Sequence, residues 1–357
     1  MSIESNPYIS FVITGRNDDY GGDFNERLTN GISWLSIYLE KYKCPSEVII
    51  VNYNPIDDKP SLRQIISWPR NRNYLQFRMI TVPNDVHQTL INPEIRKTVP
   101  LFEFPAKNIG IRRARANFIL SSNADIIYDS RIIKYISKQT LSPAKFYRAD
   151  RADFDGFTYT GDILDRPQRF LRKVKKKTFL FSLKGFKYGK FKVPMPFSSH
   201  YNLNRLINGF RLKRERFIFE HKEFFGKYKI WSNPDNAEYY YHCTNCGDFM
   251  LMQKDHWFAL RAYPEDTYIS THTDSIFTLM AATYGLKEKV FNFPIYHQHH
   301  GRRYDWADID SQQNEMMTKV YRNFEDLAQE MIKLGKPKIF NNENWGLKDF
   351  NFEEEIF

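Results

Sequence analysis

Apolar runs of strand length alternate with helical patterns along the first part of the chain. Residues 8–14, 47–52 and 75–82 are rich in apolar side chains and bounded by polar turn residues, so each predicts a buried strand. Residues 25–43 carry leucine and isoleucine at intervals of three or four, which predicts an amphipathic helix. This alternation is typical of a parallel sheet with helices on both faces.

The same alternation continues further along the chain. A helix is predicted over residues 106–117, a strand over 118–121, a helix over 129–138 and a strand over 145–148. After a stretch without clean periodicity, the pattern returns, and the later elements are a buried run at 242–252, helices at 255–260, 273–284 and 311–334, and a strand at 287–294. The expected class is α/β, with a mostly parallel sheet flanked by helices.

Four segments follow from this pattern. Residues 1–154 carry the alternating elements, and residues 155–238 form a basic, aromatic-rich insertion. Residues 239–304 belong to the same domain as residues 1–154, and residues 305–357 add a C-terminal helix and an acidic tail.

Charge adds a candidate contact surface. The net charge is +10, and much of the excess lies within residues 166–192 among phenylalanines. This segment is either a solvated insertion or a peripheral contact with an acidic membrane or another anion; nucleic acid is not expected. No apolar run approaches the roughly 20 residues that span a bilayer, and no signal pattern opens the chain. With three cysteines, this favours the reducing cytoplasm.

The tripeptide Asn123-Ala124-Asp125 directly follows a predicted buried strand. Ligands of α/β proteins bind at the carboxyl ends of the strands, and Mg²⁺ and Mn²⁺ prefer hard oxygen ligands. Asp125 is therefore a candidate ligand for a divalent metal that would hold a diphosphate. The alternative is an aspartate that ends a strand as a turn residue.

Polar residues also follow the first two predicted strands, where parallel strands bring them to one edge. They could contact a nucleotide, or they could simply form turns. The chain has neither a G-x-G-x-x-G nor a P-loop pattern, so phosphate binding must be built differently. The candidate contacts with such a nucleotide, called donor contacts below, are Thr14, Arg16, Asn17, Asp18, Asn52, Asn54, Lys107, Arg112 and Asn123.

Carboxylates and a tryptophan in the later part of the chain fit an acceptor site. Asp248, Trp257 and Glu265 are candidate acceptor contacts, and Asp274 at a helix start is a candidate general base. The structural alternative for Asp274 is a helix N-cap. Strand alternation places His297 and His299 of the YHQHH sequence on one side, where either could complete the metal site begun by Asp125.

Taken in order, these pieces resemble a GT-A-fold (Rossmann-like) glycosyltransferase of the family 2-like group, in the nucleotide-diphospho-sugar transferase superfamily. The motifs that carry the resemblance are TGRNDDYGG, EVIIVNYNP, AKNIGIRRARA, NAD, GDF, THTD and HQHH. The family's metal motif is Asp-x-Asp; its last acid maps onto Asp125, and its first position is Asn123 in this chain. The family's catalytic carboxylate maps onto Asp274, and its late histidine onto His297 or His299.

The resemblance implies transfer of a sugar from a nucleoside diphosphate sugar to a hydroxyl of a glycan, glycolipid or glycoprotein. It also implies inversion with a carboxylate base and Mn²⁺ or Mg²⁺ as cofactor. Residues 1–154 would then bind the donor, and residues 239–304 would hold the acceptor and catalytic half. Two alternatives are a sugar-nucleotide nucleotidyltransferase and a non-enzymatic polyanion-binding protein.

Overall fold

A computed structural model describes residues 7–70, 72–89, 99–155, 178–180, 187–188, 191–192, 246–265, 273–300 and 326–357. Within these residues there are an eight-stranded sheet, a four-stranded sheet and a two-stranded one. Most of the basic insertion, including residues 166–177, lies outside the described residues, so the prediction of a membrane contact stays a prediction. Among the described helices, none is long and apolar enough to cross a membrane.

Strands and helices alternate through much of the first half of the chain. The strands are β1 (Ile9–Gly15), β2 (Ser46–Tyr53), β3 (Leu75–Val82), β4 (Phe118–Ser122), β5 (Ile126–Tyr128), β6 (Lys145–Arg148), β7 (Arg151–Asp155), β8 (Thr178–Leu180), β9 (Lys187–Tyr188), β10 (Phe191–Lys192), β11 (Phe249–Gln253), β12 (Lys287–Val290), β13 (Ile295–His299) and β14 (Glu353–Ile356). The helices are α1 (Phe24–Lys41), Leu62–Ile65, Asn84–Thr89, Glu103–Arg113, Ser130–Ile136, Lys254–Ala259 and Thr273–Thr283; residues 326–334 are also helical, and Cys246–Asp248 form a 3₁₀ turn.

The larger sheet has eight strands in the order β12-β6-β11-β4-β1-β2-β3-β14. All of them run in one direction except β11 and β14, which pair antiparallel with their neighbours. The expected α/β class with a mostly parallel sheet is therefore confirmed. Apolar cores lie on both faces, because Phe11 and Ile13 of β1 pack into one core and Val12 packs into the other.

The helix Glu103–Arg113 is shifted from the predicted range of 106–117. Its Pro105 lies in the first turn, where a missing N–H is tolerated. The helix ends early because the next amides bond to the sheet: the Arg115 N–H donates to the Glu47 carboxylate at 2.7 Å, and the Ala116 N–H to Ser10 Oγ at 3.1 Å. It also packs tightly, since a Cβ at Gly110 would lie 2.6 Å from Val12 Cγ1.

The predicted acidic tail is part of the sheet. Strand β14 pairs antiparallel with β3, and the buried Arg78 donates to both carboxylate oxygens of Glu354, at 2.6 and 3.0 Å. Arg78 also donates to the buried Glu47 at 2.9 Å, so the segment is bound by both backbone and charged contacts.

The second sheet was not predicted. It has the order β5-β13-β7-β8, and β5 begins directly after Asp125. The single strand predicted over 287–294 is instead β12 alone, and β13 begins after Pro294. Proline lacks the N–H that a sheet interior requires, which explains why the chain changes sheets there.

Candidate active site

A group of potential metal ligands lies where the two sheets meet. Asp125 stands between β4 and β5, and its Oδ2 lies 3.1 Å from His300 Nε2 and 3.4 Å from His297 Nε2. One ligand atom from each of the three residues lies within 4.8 Å of the others. This is the one such group of histidine, cysteine and acidic side chains found within the described ranges.

Asp153 orients the ring of His297. The two residues are register partners in the parallel pair β13·β7, and Asp153 Oδ1 lies 2.7 Å from His297 Nδ1. A carboxylate on one ring nitrogen commonly directs the other nitrogen of a histidine towards a metal. In this protein the other nitrogen, Nε2, faces Asp125.

Charge balances within this group. Burial alone would lower the pKa of His297, but Asp125 and Asp153 raise it to about 10. Burial alone would raise the pKa of Asp125, whereas charged His297 and hydrogen bonds from both histidines hold it well below its usual range. Without a metal, a proton on His297 therefore supplies the positive charge between the two carboxylates.

The residues fit a divalent cation. The buried Oδ1 of Asp125 has no hydrogen-bond partner among the described residues, and the other oxygen of the same carboxylate, Oδ2, lies next to both imidazoles. A buried carboxylate oxygen without a donor is costly unless a ligand satisfies it. A carboxylate with two imidazole nitrogens suits a transition metal better than Mg²⁺, which prefers oxygen ligands.

The histidine that joins Asp125 and His297 in this candidate group is His300, whereas the predicted His299 is not part of it. His299 is the last residue of β13 and is exposed. His300 lies beyond the strand, where alternation no longer applies, and it contacts Asp125. The ring of Tyr20 packs edge-on against His300, with centroids 5.4 Å apart.

Helix α1 packs against the turn between β4 and β5 that carries Asp125. Gln298 donates from its backbone to the Asp125 carbonyl at 3.1 Å and from its side chain to the Arg27 carbonyl of α1 at 2.9 Å. The Gln298 side chain also accepts from Asn30 at 3.0 Å. Gly31 allows the close approach, because a Cβ there would lie 3.1 Å from the Ala124 carbonyl oxygen and 3.2 Å from that of Ile126.

The predicted donor contacts after β1 and β2 mostly bond to one another. Asn17 Nδ2 lies within hydrogen-bond distance of the Ile56, Lys59 and Pro60 carbonyls, and its Oδ1 accepts from the Ile56 N–H at 2.7 Å. Arg16 donates to the Asn54 carbonyl at 2.6 Å and to Asp18 at 2.8 Å. These contacts join the two loops that follow the strands.

Asn54, Thr14 and Asn52 lie at the same edge. Asn54 adopts a left-handed backbone conformation with φ 48°, and its side chain bonds Pro100 and Asn84. Thr14 and Asn52 are buried near the ends of β1 and β2. Asn52 Oδ1 has no hydrogen-bond partner among the described residues.

A second polar group links β4 to the start of β11. Asn123 accepts from Lys107 Nζ at 2.6 Å and donates to Asp248 at 2.7 Å. Asp248 also pairs with Arg151 at 3.0 Å, and its backbone carbonyl accepts from the Ser122 hydroxyl. Lys107 is fully buried, so the structure places it inside the protein and not on a surface open to a diphosphate.

Asp274 begins the helix Thr273–Thr283 beside this group. One of its oxygens accepts from the Gly247 N–H at 2.6 Å and the other from the Ser275 N–H at 2.9 Å. Burial raises the pKa of Asp274 to about 6, even though these N–H groups and Arg148 act to lower it. A carboxyl group with a pKa near neutrality is suited to proton transfer.

Three predicted site residues lie elsewhere. Trp257 is fully buried, stacks on Phe277 with centroids 4.7 Å apart, and donates to the Ile119 carbonyl, so it belongs to the core. Glu265 accepts from Asn108 and from the Gly346 N–H. Arg112 stacks over Trp345, at 4.4 Å from the ring centroid. The contacts of these three residues are with other parts of the protein, in both halves of the chain.

The fold and site together define an α/β protein with a mostly parallel sheet flanked by helices and a candidate metal site at the carboxyl edge. No protein-family model and no curated protein matches the chain. Among solved structures, S. aureus TarS 1-349 is similar at 12% identity with a TM-score of 0.40. The match covers 81% of this chain but only 60% of that one.

Proposed function

We propose that this protein is a metal-assisted glycosyltransferase that moves a sugar from a nucleoside diphosphate sugar to a hydroxyl acceptor. The observation that supports this most is the Asp125–His297–His300 group at the carboxyl edge of the sheet, with a carboxylate oxygen that no described residue satisfies. That edge is where α/β proteins bind nucleotides.

In this proposal Asp125, His297 and His300 hold Mn²⁺, and Asp153 keeps His297 Nε2 directed at it. The bound cation would offset negative charge on the departing nucleoside diphosphate. Asn52 lies near the end of β2, and its buried side-chain oxygen has no hydrogen-bond partner in the part of the chain that the structure describes, so it is the donor contact that the geometry supports best among the predicted set.

Asp274 is the proposed general base. Two backbone N–H groups fix its carboxyl group, and its raised pKa lets it take a proton from an acceptor hydroxyl near neutral pH. It lies at the same edge as the metal group, because Gly247 precedes β11 and the β11 residue Phe249 pairs with Ser122 at the end of β4. A base acting as the hydroxyl attacks would give inversion at the anomeric carbon.

Metal binding provides a test that does not depend on activity. The electron paramagnetic resonance signal of free Mn²⁺ should fall when wild-type protein is added, because bound Mn²⁺ gives a broader signal. His300→Ala should lose this binding, whereas His299→Ala, which removes the exposed neighbour, should retain it. Equal loss in both variants, or no binding by the wild type, would remove the metal assignment.

The reaction is tested with a panel of nucleoside diphosphate sugars, Mn²⁺ and candidate acceptors. Release of a nucleoside diphosphate with glycosidic product supports the proposal. We expect Asp274→Asn to lower kcat by about 10²- to 10⁴-fold, the usual range for loss of general-base catalysis. Formation of a nucleoside diphosphate sugar from a nucleoside triphosphate, with release of pyrophosphate, would identify a nucleotidyltransferase instead.

A further inference from the structure

A lysine ammonium lies at the centre of the polar group between the candidate metal ligand and the candidate base. Lys107 is 0% exposed, and its Nζ lies 2.6 Å from Glu103 Oε1, 2.6 Å from Asn123 Oδ1 and 3.0 Å from the Gly247 carbonyl oxygen. An ammonium group has three N–H donors, so these three acceptors use all of them.

Two of these acceptors are connected to the candidate base and to the candidate metal ligand. Gly247 accepts from Lys107 through its carbonyl oxygen, and the N–H of the same residue, on the other side of its Cα, donates to Asp274 at 2.6 Å. The Asn123 amide accepts from Lys107 and donates to Asp248, and Asn123 is two residues before Asp125. One buried cation therefore restrains a backbone support of the base and the turn that carries the metal ligand.

We propose that Lys107 is a positioning residue of this active site, holding the Gly247 peptide and the Asn123 amide in the geometry that Asp274 and Asp125 require. The role rests on the proposed glycosyl transfer. It differs from a contact with the donor diphosphate, because a buried ammonium with three protein acceptors has no donor left for a phosphate oxygen.

The consequences of losing the cation follow from these bonds. Without Lys107, the Gly247 carbonyl and the Asn123 side-chain oxygen lose this donor. Rotation about the Gly247 Cα, which lies between that carbonyl and the Gly247 N–H, is then less restrained. The hydrogen bond from Gly247 to Asp274 then weakens, and the Asp274 carboxylate loses a group that stabilises its charged form. Asp274 should hold its proton to higher pH, which makes it a poorer base at neutral pH.

The first experiment reads this link without measuring activity. In protein labelled with ¹⁵N-glycine, the Gly247 amide signal, identified by its loss in Gly247→Ala, should titrate with Asp274. In Lys107→Met, we expect the midpoint to move to higher pH or the titration to disappear. An unchanged midpoint and amplitude would overturn the proposal. If Lys107→Met does not fold, Lys107→Gln, which keeps two N–H donors without the charge, carries the same test.

The second experiment separates positioning from donor binding. We expect Lys107→Met to lower kcat by about 10- to 100-fold, the range typical of residues that support active-site groups, with the donor KM unchanged. A raised donor KM with kcat unchanged would show that Lys107 contacts the donor, and would overturn the proposal. The acid limb of the pH–rate profile should move to higher pH.

Lys254→Met is the matched control. Lys254 also donates to a backbone carbonyl, that of Ala114 at 2.8 Å, but it lies just after the end of β11 that is remote from Asp248. It should leave kcat, KM and the Gly247 titration unchanged. If the wild type transfers no sugar, the proposed function fails, whereas the Gly247 titration still decides whether Lys107 positions Asp274.

Discussion

Two polar segments lie at the same edge of the main sheet, and they differ in where their side chains bond. After β1, residues 16–23 carry arginine, asparagine and aspartates, and the Asn17 amide bonds three carbonyls and one N–H of the neighbouring loop. After β4, Asp125 keeps one buried oxygen without a partner among the described residues and contacts only imidazoles through the other.

This difference shows that amino-acid content alone does not separate a binding loop from a structural one. Both segments contain residues that could contact a nucleotide or a metal. In the first, backbone groups of residues 56–60 lie within reach and satisfy Asn17. In the second, adjacent backbone is already paired in β5 and β13, and the Asp125 carboxylate contacts two histidines instead.

Asp125→Ala should have the largest effect, a loss of metal binding, and it tests this contrast directly. Losing a ligand should weaken Mn²⁺ binding by more than about 100-fold, the upper range for loss of a group that only supports a ligand. Asp18→Ala removes a carboxylate from the first loop and should leave the affinity within about twofold. Isothermal titration calorimetry measures both, and a similar loss in the two variants would abolish the distinction.

Asp274→Asn tests whether a site carboxylate lowers the stability of the fold. The pKa of Asp274 is raised from 3.8 to about 6, so the folded state binds its proton more tightly than the unfolded chain. Stability from this group is therefore present at low pH and lost as pH rises from 3.8 to 6, by up to about 3 kcal/mol.

We accordingly expect Asp274→Asn to have a higher free energy of unfolding than wild type at neutral pH. Urea denaturation at a series of pH values measures this, and the gain should shrink as pH falls through 6 and 3.8. A gain independent of pH would mean that burial of this carboxylate is not its cause.

Asp153→Asn tests the support of His297. The asparagine amide lacks the negative charge with which Asp153 orients the His297 ring. Mn²⁺ affinity should therefore fall by about 10- to 100-fold, although Asp125, His297 and His300 are all still present. The decrease of the free Mn²⁺ signal on titration with protein reports this affinity. An effect as large as that of Asp125→Ala would indicate that Asp153 is itself a ligand.

Asn17→Ala should give the smallest change in the metal site and a clear change in stability. Removing its side chain leaves the partly buried Ile56 N–H without its acceptor, which costs about 1–3 kcal/mol. Urea denaturation should show this loss, with Mn²⁺ affinity unchanged within about twofold. A variant with the wild-type free energy of unfolding that loses Mn²⁺ binding would instead place Asn17 in the metal site.

Local patterns in the sequence predict most strands of the main sheet, but not β14 in the tail, and two residues of the candidate metal group. Apolar runs predicted β3 and β6 with their observed bounds, and Asp125 and His297 followed from their places after or on strands. Such patterns act over a few residues, which is the range over which they were right.

Features that depend on distant pairing could not be read in the same way. Asp153 contacts His297 only because β7 and β13 pair, across 144 residues of sequence. His300 lies past a strand end, where no period applies. Lys107 and Trp257 are predicted to contact the donor and the acceptor because one is charged and the other is aromatic. In the structure both are buried: Lys107 donates to three acceptors inside the protein, and Trp257 stacks on Phe277.

The glycine at position 31 of α1 has a consequence for tuning. Its missing side chain lets the helix rest on the two carbonyls that flank Asp125, at distances where a methyl group would require a shift of a few tenths of an ångström. Gly31 is then a spacer whose volume determines how deeply the carboxylate is seated. In the proposed metal site, a graded series such as Gly31→Ala and Gly31→Ser would displace the Asp125 turn by stepwise amounts while Asp125, His297 and His300 are all retained.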